Sequence, residues 1–418
     1  MTLSPPISGA GVEKAPDRAA PARAARPYRV AIVATHPIQH FVPFYRALSL
    51  QPDLTLHVFF GSRIGLEEYF DPEMNARFSW HMDLTSGYQH DFLRGADRIR
   101  STAFASMNNP AVWKSVSRFR PDVVVVYGYA NLTAARTIAG ALLRKIPVLL
   151  VSDSEPLQSR SAARTWVKRL LLPRLVGAVS GFLTVGDCNE RYWTGFGAPH
   201  AKLFRTPFTI DEPTYLLARA NRAELRRDWR RERRIEEREV VFLAVGKLSA
   251  RKRQRDILTA LALARHAAPA ARVVLAGDGA ERAALEDMAR EADLPVTFLG
   301  FVNLDELPQV YAAADVLVHA SARDPHPLVF SEAACLGLPI VASDRVGAIG
   351  STDIAQPGVN ALVFPQGDVR RLAAALTDLT CDPLRREAMG EASLQVFRSQ
   401  DMATSVAGLR SAVRAVVG

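Results

Sequence analysis

The sequence predicts an α/β protein built as two parallel-sheet domains that face one central cleft. Three observations carry this. The chain has 418 residues, more than one ordinary core organises. Short β-rich runs alternate with helical patterns, the signature of a parallel sheet covered by helices on both faces. The alternation occurs in two sets, with a strongly basic helical segment between them.

Residues 1–26, rich in Pro, Ala and Arg, read as a disordered tail; they lack the continuous apolar stretch of a secretory signal. RVAIVAT at 29–35 is the first strand, followed by the loop HPIQ and a helical pattern through Phe44 and Leu48. Residues 54–60 form the next strand. DVVVVY at 122–127 and PVLLVS at 147–152 are continuous apolar runs, as expected of strands buried on both faces. A helix at 132–143 lies between them, and GFLTV at 181–185 continues the series. These elements make a domain over 27–205. A linker and helical segment covers 206–239. The second set starts with a strand at 240–245, the loop GKLSARKR and a helix at 256–264. RVVLA at 272–276, then GDGAER and a helix, come next, with strands at 296–299, 316–319 and 339–342. This second domain spans 240–392. A last helix, 393–418, is expected to pack back toward the first domain.

Composition narrows the function. The chain is 48% apolar and 23% charged, as in a globular protein, and no run of eighteen uncharged apolar residues predicts a membrane span. Cys188, Cys335 and Cys381 are isolated, without metal-site or redox spacing, which fits a reducing, cytoplasmic compartment. His36 and His40 are four apart, but no carboxylate completes a zinc motif, so no metal site is predicted. The net charge is +9. Its densest cluster, ELRRDWRRERRIEERE at 224–239, interleaves acids with arginines at helical spacing and reads as a solvated, self-paired helix. No RNA-binding signature appears, and a nucleic-acid partner is not expected.

Two loops carry the chemistry. DPHPLVFSE places Asp324 and Glu332 with seven residues between them, after the strand at 316–320 and at the start of a helix expected over 328–336. Pro327 suits a first helical position. The N–H groups of Leu328 and Val329 are then expected to face the cleft as an anion site. Taken alone, Asp324 would be a cap and Glu332 an ordinary first-turn acid. The loop GKLSARKR shifts the balance: it follows a strand and carries four cations in seven residues, 247–253. Lys247 and Lys252 are spaced to reach one anion from two sides, which suggests a diphosphate.

These segments resemble glycosyltransferase family 4, retaining enzymes with two Rossmann-like domains facing a central cleft, the GT-B architecture. The resemblance is strong over 240–368, through GKLSARKR, VVLAGDGAER, VTFLGFV, LPQVYAAADVLVHAS, DPHPLVFSEAACLGLPIVASD and PGVNALVFPQGD, in matching order and spacing. It is weaker over the first half. The resemblance implies that Asp324 binds hydroxyls of a donor sugar and Glu332 the ribose of a nucleotide. Lys247 and Lys252 would grip the diphosphate in place of a metal, and no D-x-D pair occurs in the chain. Leu328, Val329 and His326 join Glu332 as candidate nucleotide-sugar contacts. His36 and Asp153, after strands of the acceptor-side first domain, are candidates for acceptor binding or sugar orientation.

There are departures from the family pattern. Asp324 stands where Glu is usual, Pro327 where glycine is common, and Lys247 where Arg is usual, which removes a bidentate fork. Asp153 stands where many members have a histidine, and HPIQ replaces a glycine-rich acceptor loop. In GDGAER, Arg282 occupies the third glycine's place of a dinucleotide loop, which argues against an NAD enzyme. The expected function is therefore a metal-independent, retaining glycosyltransferase in polysaccharide or cell-envelope glycan synthesis. Its donor would be a UDP- or GDP-sugar and its acceptor a glycan or lipid-linked molecule. No cofactor is expected. The basic surface suits docking beside an anionic membrane at its inner face. A nucleotide-sugar epimerase of the same architecture and a non-catalytic sugar-nucleotide-binding protein remain as alternatives.

Overall fold

The computed structural model describes residues 26–66, 69–71, 76–78, 81–157 and 162–418. The expected tail, 1–26, lies outside the described residues apart from Arg26. The strands of the first half are β1 (Tyr28–Ala34), β2 (Leu54–Phe60), β3 (Tyr69–Asp71), β4 (Ala76–Phe78), β5 (His90–Phe92), β6 (Val123–Tyr127), β7 (Val148–Val151), β8 (Gly181–Thr184) and β9 (Leu203–Arg205). Those of the second half are β10 (Val240–Val245), β11 (Ala271–Ala276), β12 (Val296–Gly300), β13 (Val316–His319), β14 (Ile340–Ser343) and β15 (Ala361–Phe364).

Seven strands form the first sheet, in the order β5-β2-β1-β6-β7-β8-β9, and six form the second, in the order β12-β11-β10-β13-β14-β15. Every pairing within these two sheets is parallel. The residues explain this. Val123–Val126 and Val148–Val151 are buried on both faces, so helices must cover both sides. β3 and β4 form a separate antiparallel hairpin. The fold class read from the alternation is thus the one observed.

In each sheet the chain first builds outward on one side of its opening strand, then returns to the other. The reversal falls between β1 and β6 in the first sheet and between β10 and β13 in the second. Loops leaving the two strands on either side of a reversal diverge and leave a crevice.

The helix Met402–Val417 crosses back onto the first sheet. Val406, Leu409, Ala412 and Val413 enter the core around Val30, Ile32 and Val125. Arg410 and Arg414 both donate to the Asp53 carboxylate, at 3.0 and 2.8 Å. A Cβ on Gly408 would stand 2.0 Å from the Arg205 carbonyl oxygen, so glycine permits this close crossing.

One expectation is corrected. The basic segment is not simply a solvated, self-paired helix. Its helix, Arg222–Glu232, presents Arg222, Arg226 and Arg230 to the second domain at i, i+4 and i+8. Arg226 and Arg230 clamp Asp315, at 2.7 and 2.6 Å, and Arg230 is 1% exposed. Arg222 donates to the Leu336 and Ala314 carbonyls, both at 2.9 Å. Arg226 also pairs within the segment, to Glu237 at 2.9 Å, and the opposite face, as in Arg231–Asp228, is solvated and locally paired.

A second joint links the two domains directly. Arg205, on β9, donates to Asp187 (2.7 Å), Glu190 (2.8 Å) and the Thr352 carbonyl (3.1 Å). The Asp187 N–H donates to the fully buried Asp353 carboxylate at 2.8 Å. Burial pushes the Asp353 carboxyl up to about 7, with the Asp187 charge adding to it. A carboxyl raised on folding binds more protons in the native state than in the unfolded one, between its unfolded value and about 7. Its ionisation therefore costs stability as pH rises through that window. His36, His40 and His326, lowered to about 4, 3 and 4 by burial, act in the opposite sense below their ordinary range. The Asp353 contribution is thus isolated as a difference. Urea unfolding at pH 7.5 and 5.5 should show the wild type gaining on Asp353→Asn as pH falls. A difference independent of pH would mean that Asp353 is ionised throughout.

Candidate active site

The site forms where the two strand reversals face each other. A cleft of about 800 Å³ is lined from the first domain by Thr35 and His36 after β1, Gly128–Asn131 after β6, and Ser152–Ser154 after β7. From the second domain it is lined by Asp324, His326, Pro327 and Leu328, after β13.

Asp324 is the best-anchored of these. Lys252 Nζ, from the loop after β10, donates to its Oδ2 at 2.5 Å. His319 Nε2, at the end of β13, lies 3.0 Å from the same oxygen. Burial and the Lys252 charge lower the His319 ring, so the neutral ring donates from Nε2. Burial pushes the Asp324 carboxyl up, but the His319 bond and Lys252 charge outweigh it and hold it well below the usual range. Asp324 is therefore ionised at neutral pH. Its backbone is pinned to the following loop: the Gly347 N–H donates to the Asp324 carbonyl at 2.8 Å.

The cation loop is shaped by its neighbours. Gly277 and Gly279, both at φ +155°, pass so close that a Cβ would lie 2.0 Å from the Gly246 oxygen and 2.4 Å from the Leu248 oxygen. The glycines of GDGAER thus pack one loop against the other. Lys247 is half-buried, and its carbonyl accepts the Gln254 amide at 3.0 Å. Arg253 is turned away and paired to Asp256 through two nitrogens, at 2.6 and 3.0 Å. Arg251 is exposed and reaches the Arg323 carbonyl at 3.3 Å. Lys252 is therefore the cation of this loop that reaches Asp324.

The other acid is placed differently from the expectation. The helix after Asp324 is Val329–Cys335, shorter than the run 328–336, and Pro327 precedes its cap residue, Leu328. Leu328 lines the cleft, whereas Val329 packs into the second domain's core. Glu332 is 8% exposed and accepts the Tyr311 hydroxyl at 2.6 Å. Burial pushes its carboxyl up, against the Tyr311 bond. Glu332 and Asp324 belong to one loop–helix unit, but Asp324 faces the cleft cavity and Glu332 lies beneath it.

Across the cleft, Asp153 is raised by burial and by the nearby Asp324 charge. His36 Nδ1 lies 2.9 Å from the Thr35 hydroxyl. His40 packs at a tilt against Phe41, and His326 meets Phe208 edge-on at 5.4 Å. The His326 Nδ1 is buried without a hydrogen-bond partner among the described residues. Sequence reasoning missed His319, which reads as the last residue of a core strand, and Tyr311. It also missed a network at the cleft's edge: Lys168 donates to Tyr192 (2.8 Å) and Tyr129 (3.3 Å), and Tyr129 lies 3.1 Å from the Ser154 hydroxyl. Tyr311 and His319 fall inside the segment LPQVYAAADVLVHAS without standing out in it, and the cleft-edge residues belong to no motif. Among the described residues, no group of three or more His, Cys, Asp or Glu side chains is placed to hold a metal.

Gly347 tests how the Asp324 loop is held. A Cβ there would stand 2.0 Å from the Pro325 carbonyl oxygen. Gly347→Ala should cost about 1–3 kcal/mol in unfolding free energy. Its crystal structure should show Asp324 withdrawn from Lys252. An unshifted Asp324 would mean that the loop is held elsewhere.

Residues 226–396 match the family model described as glycosyl transferases group 1. The chain is 32% identical over 221 residues to the GDP-mannose-dependent alpha-(1-6)-phosphatidylinositol monomannoside mannosyltransferase of Mycobacterium tuberculosis, covering 51% of this chain and 55% of that protein. It is 29% identical over 276 residues to a GDP-mannose-dependent alpha-mannosyltransferase of the same organism, covering 64% of this chain and 66% of that one. The matches thus span between about half and two thirds of these relatives' length. The fold is similar to that of Anabaena HepE crystallised with UDP, at a TM-score of 0.67 and 16% identity over 93% of this chain and 99% of that one. Sheet order, cleft and the matched second half agree: the chain has the GT-B architecture, and its residues 226–396 are similar to the group 1 glycosyl transferases.

Proposed function

We propose that this protein is a metal-independent, retaining glycosyltransferase that uses a UDP- or GDP-linked sugar. One observation carries the reading. A cation and an ionised carboxylate, Lys252 and Asp324, meet at 2.5 Å, one from each side of the second sheet's strand reversal, and the carboxylate lines the cleft. A sugar–diphosphate junction needs that pair: a carboxylate accepts sugar hydroxyls, and a cation meets phosphate oxygens. The names of the mannosyltransferase relatives and the UDP in the HepE crystal support the donor class.

In the proposed reaction the donor's anomeric carbon–phosphate oxygen bond breaks, and a bond to the acceptor oxygen forms on the same face. The acceptor's hydroxyl proton passes to the leaving phosphate oxygen, so no side-chain base is required. Lys247 and Lys252 stabilise the negative charge that develops on the diphosphate. Asp324, oriented by His319, holds the sugar. Glu332 and its neighbours Leu328, Val329 and His326 serve the nucleotide, and His36 and Asp153 face the acceptor. The acceptor is a glycan or a lipid-linked molecule of polysaccharide or cell-envelope synthesis. The protein works in the cytoplasm, at the inner membrane face.

The test is a panel of UDP- and GDP-sugars with glycan and lipid-linked acceptors, read by released nucleoside diphosphate and the anomeric configuration of the product. Inversion, or an isomeric nucleotide sugar formed without acceptor, would overturn the reading. With the donor known, Lys247→Ala and Lys252→Ala should each lower turnover by roughly a hundred- to a thousandfold. Lys247→Ala should melt near wild type, whereas Lys252→Ala, which strips the buried Asp324 of its ion pair, should melt lower yet remain folded. Lys247→Arg should retain activity. Near-normal turnover in both folded alanine variants would place the diphosphate elsewhere. Excess EDTA should leave turnover unchanged; a complete loss restored by added divalent metal would contradict the metal-independent mechanism.

A further inference from the structure

The helix Ala162–Ala178, AARTWVKRLLLPRLVGA, holds an apolar surface that the described residues leave uncovered. Leu172 and Val176 enter the core of the first domain, and Lys202 closes the helix end by donating to the Val176 and Val179 carbonyls, at 3.2 and 2.7 Å. The other side bears Trp166, Val167, Leu170 and Leu171, which are 66%, 44%, 44% and 55% exposed. At 3.6 residues per turn these four fall on one continuous arc opposite the buried pair. Arg174 lies within the arc, Arg169 and Lys168 flank it, and Asp and Glu are absent from the helix. Four large apolar side chains on one exposed face mark a surface meant to be covered.

We propose that this face docks the protein on an anionic lipid surface. An aromatic ring and leucines beside arginines, without acids, are what a helix lying in the plane of a negatively charged bilayer requires. A second copy of the chain is a poorer occupant, because a two-fold contact would bring the same arginines against themselves. The position has a consequence. The helix follows β7 and the cleft-lining loop at Ser152–Ser154, and Lys168 also lines the cleft. Docking therefore sets the mouth of the acceptor side at the membrane, where a lipid-anchored acceptor presents its head group. The inference rests on the reading of a membrane-side acceptor and names the surface responsible.

Vesicle co-sedimentation of the full chain tests it and needs neither donor nor acceptor, so its failure is separable from a failure of the transfer reading. Vesicles of zwitterionic phospholipid alone should bind weakly, and vesicles with an anionic phospholipid added should bind well. The triple variant Trp166→Ser, Leu170→Ser, Leu171→Ser should lose most binding while its melt stays near that of wild type. Arg169→Gln and Arg174→Gln should each weaken binding by roughly fivefold, and the loss should shrink at high salt. Unchanged vesicle binding in the triple variant, or equal binding to both vesicle types, would overturn the proposal. A wild-type dimer in sedimentation that the triple variant dissolves would assign the face to a second copy instead.

Discussion

The site depends on the two strand reversals. Lys252 and Asp324 stand 72 residues apart, and no local structure could join them. They meet because the chain leaves β10 to one side, builds β11 and β12, and returns to place β13 on the other. The loops after β10 and β13 then flank a crevice at the carboxyl edge of the sheet. The first sheet repeats the device at β1 and β6, whose loops carry His36 and Tyr129. With the two crevices opposed, the cleft has a charged floor and an aromatic, neutral-histidine wall.

Burial gives that arrangement its electrostatic consequence. A carboxylate as enclosed as Asp324 would be unstable alone, and Lys252 and His319 supply the compensating charge and hydrogen bond. The same logic recurs outside the cleft. Asp315 is held by Arg226 and Arg230, which keep its carboxyl below its usual range against the effect of burial. Among the described residues Asp353 has no such cation bonded to it, only backbone N–H groups, and its carboxyl rises. The linker helix is thus tied to the second domain by charge pairs, while the domain joint contains a carboxyl sensitive to neutral pH.

Much of the fold was legible because continuous apolar runs admit few other readings. The strands at 54–60 and 240–245 and the helix at 132–143 are found at the expected residues. Most other boundaries move by one or two residues, as element ends do. The basic segment was misread because its partners are remote. Acids at helical spacing suggest local pairing, and nothing in the segment reveals Asp315 some 85 residues on. The two-acid spacing brought Asp324 and Glu332 to notice but not their different depths. Tyr311, which covers Glu332, sits on another helix, and His319 is indistinguishable in sequence from a core strand's end. The exposed face of the helix Ala162–Ala178 was also illegible: an apolar run states only that something will cover it, not whether that is the protein itself.

The central claim is that a nucleoside diphosphate sits where the loops after β10 and β13 converge. Amide hydrogen exchange with saturating UDP or GDP tests it most directly. One of the two nucleotides should slow exchange across 246–253 and 320–330, leaving the outer strands β5 and β12 unchanged. If neither nucleotide slows exchange in those loops, or protection appears only elsewhere, this account of the site is wrong.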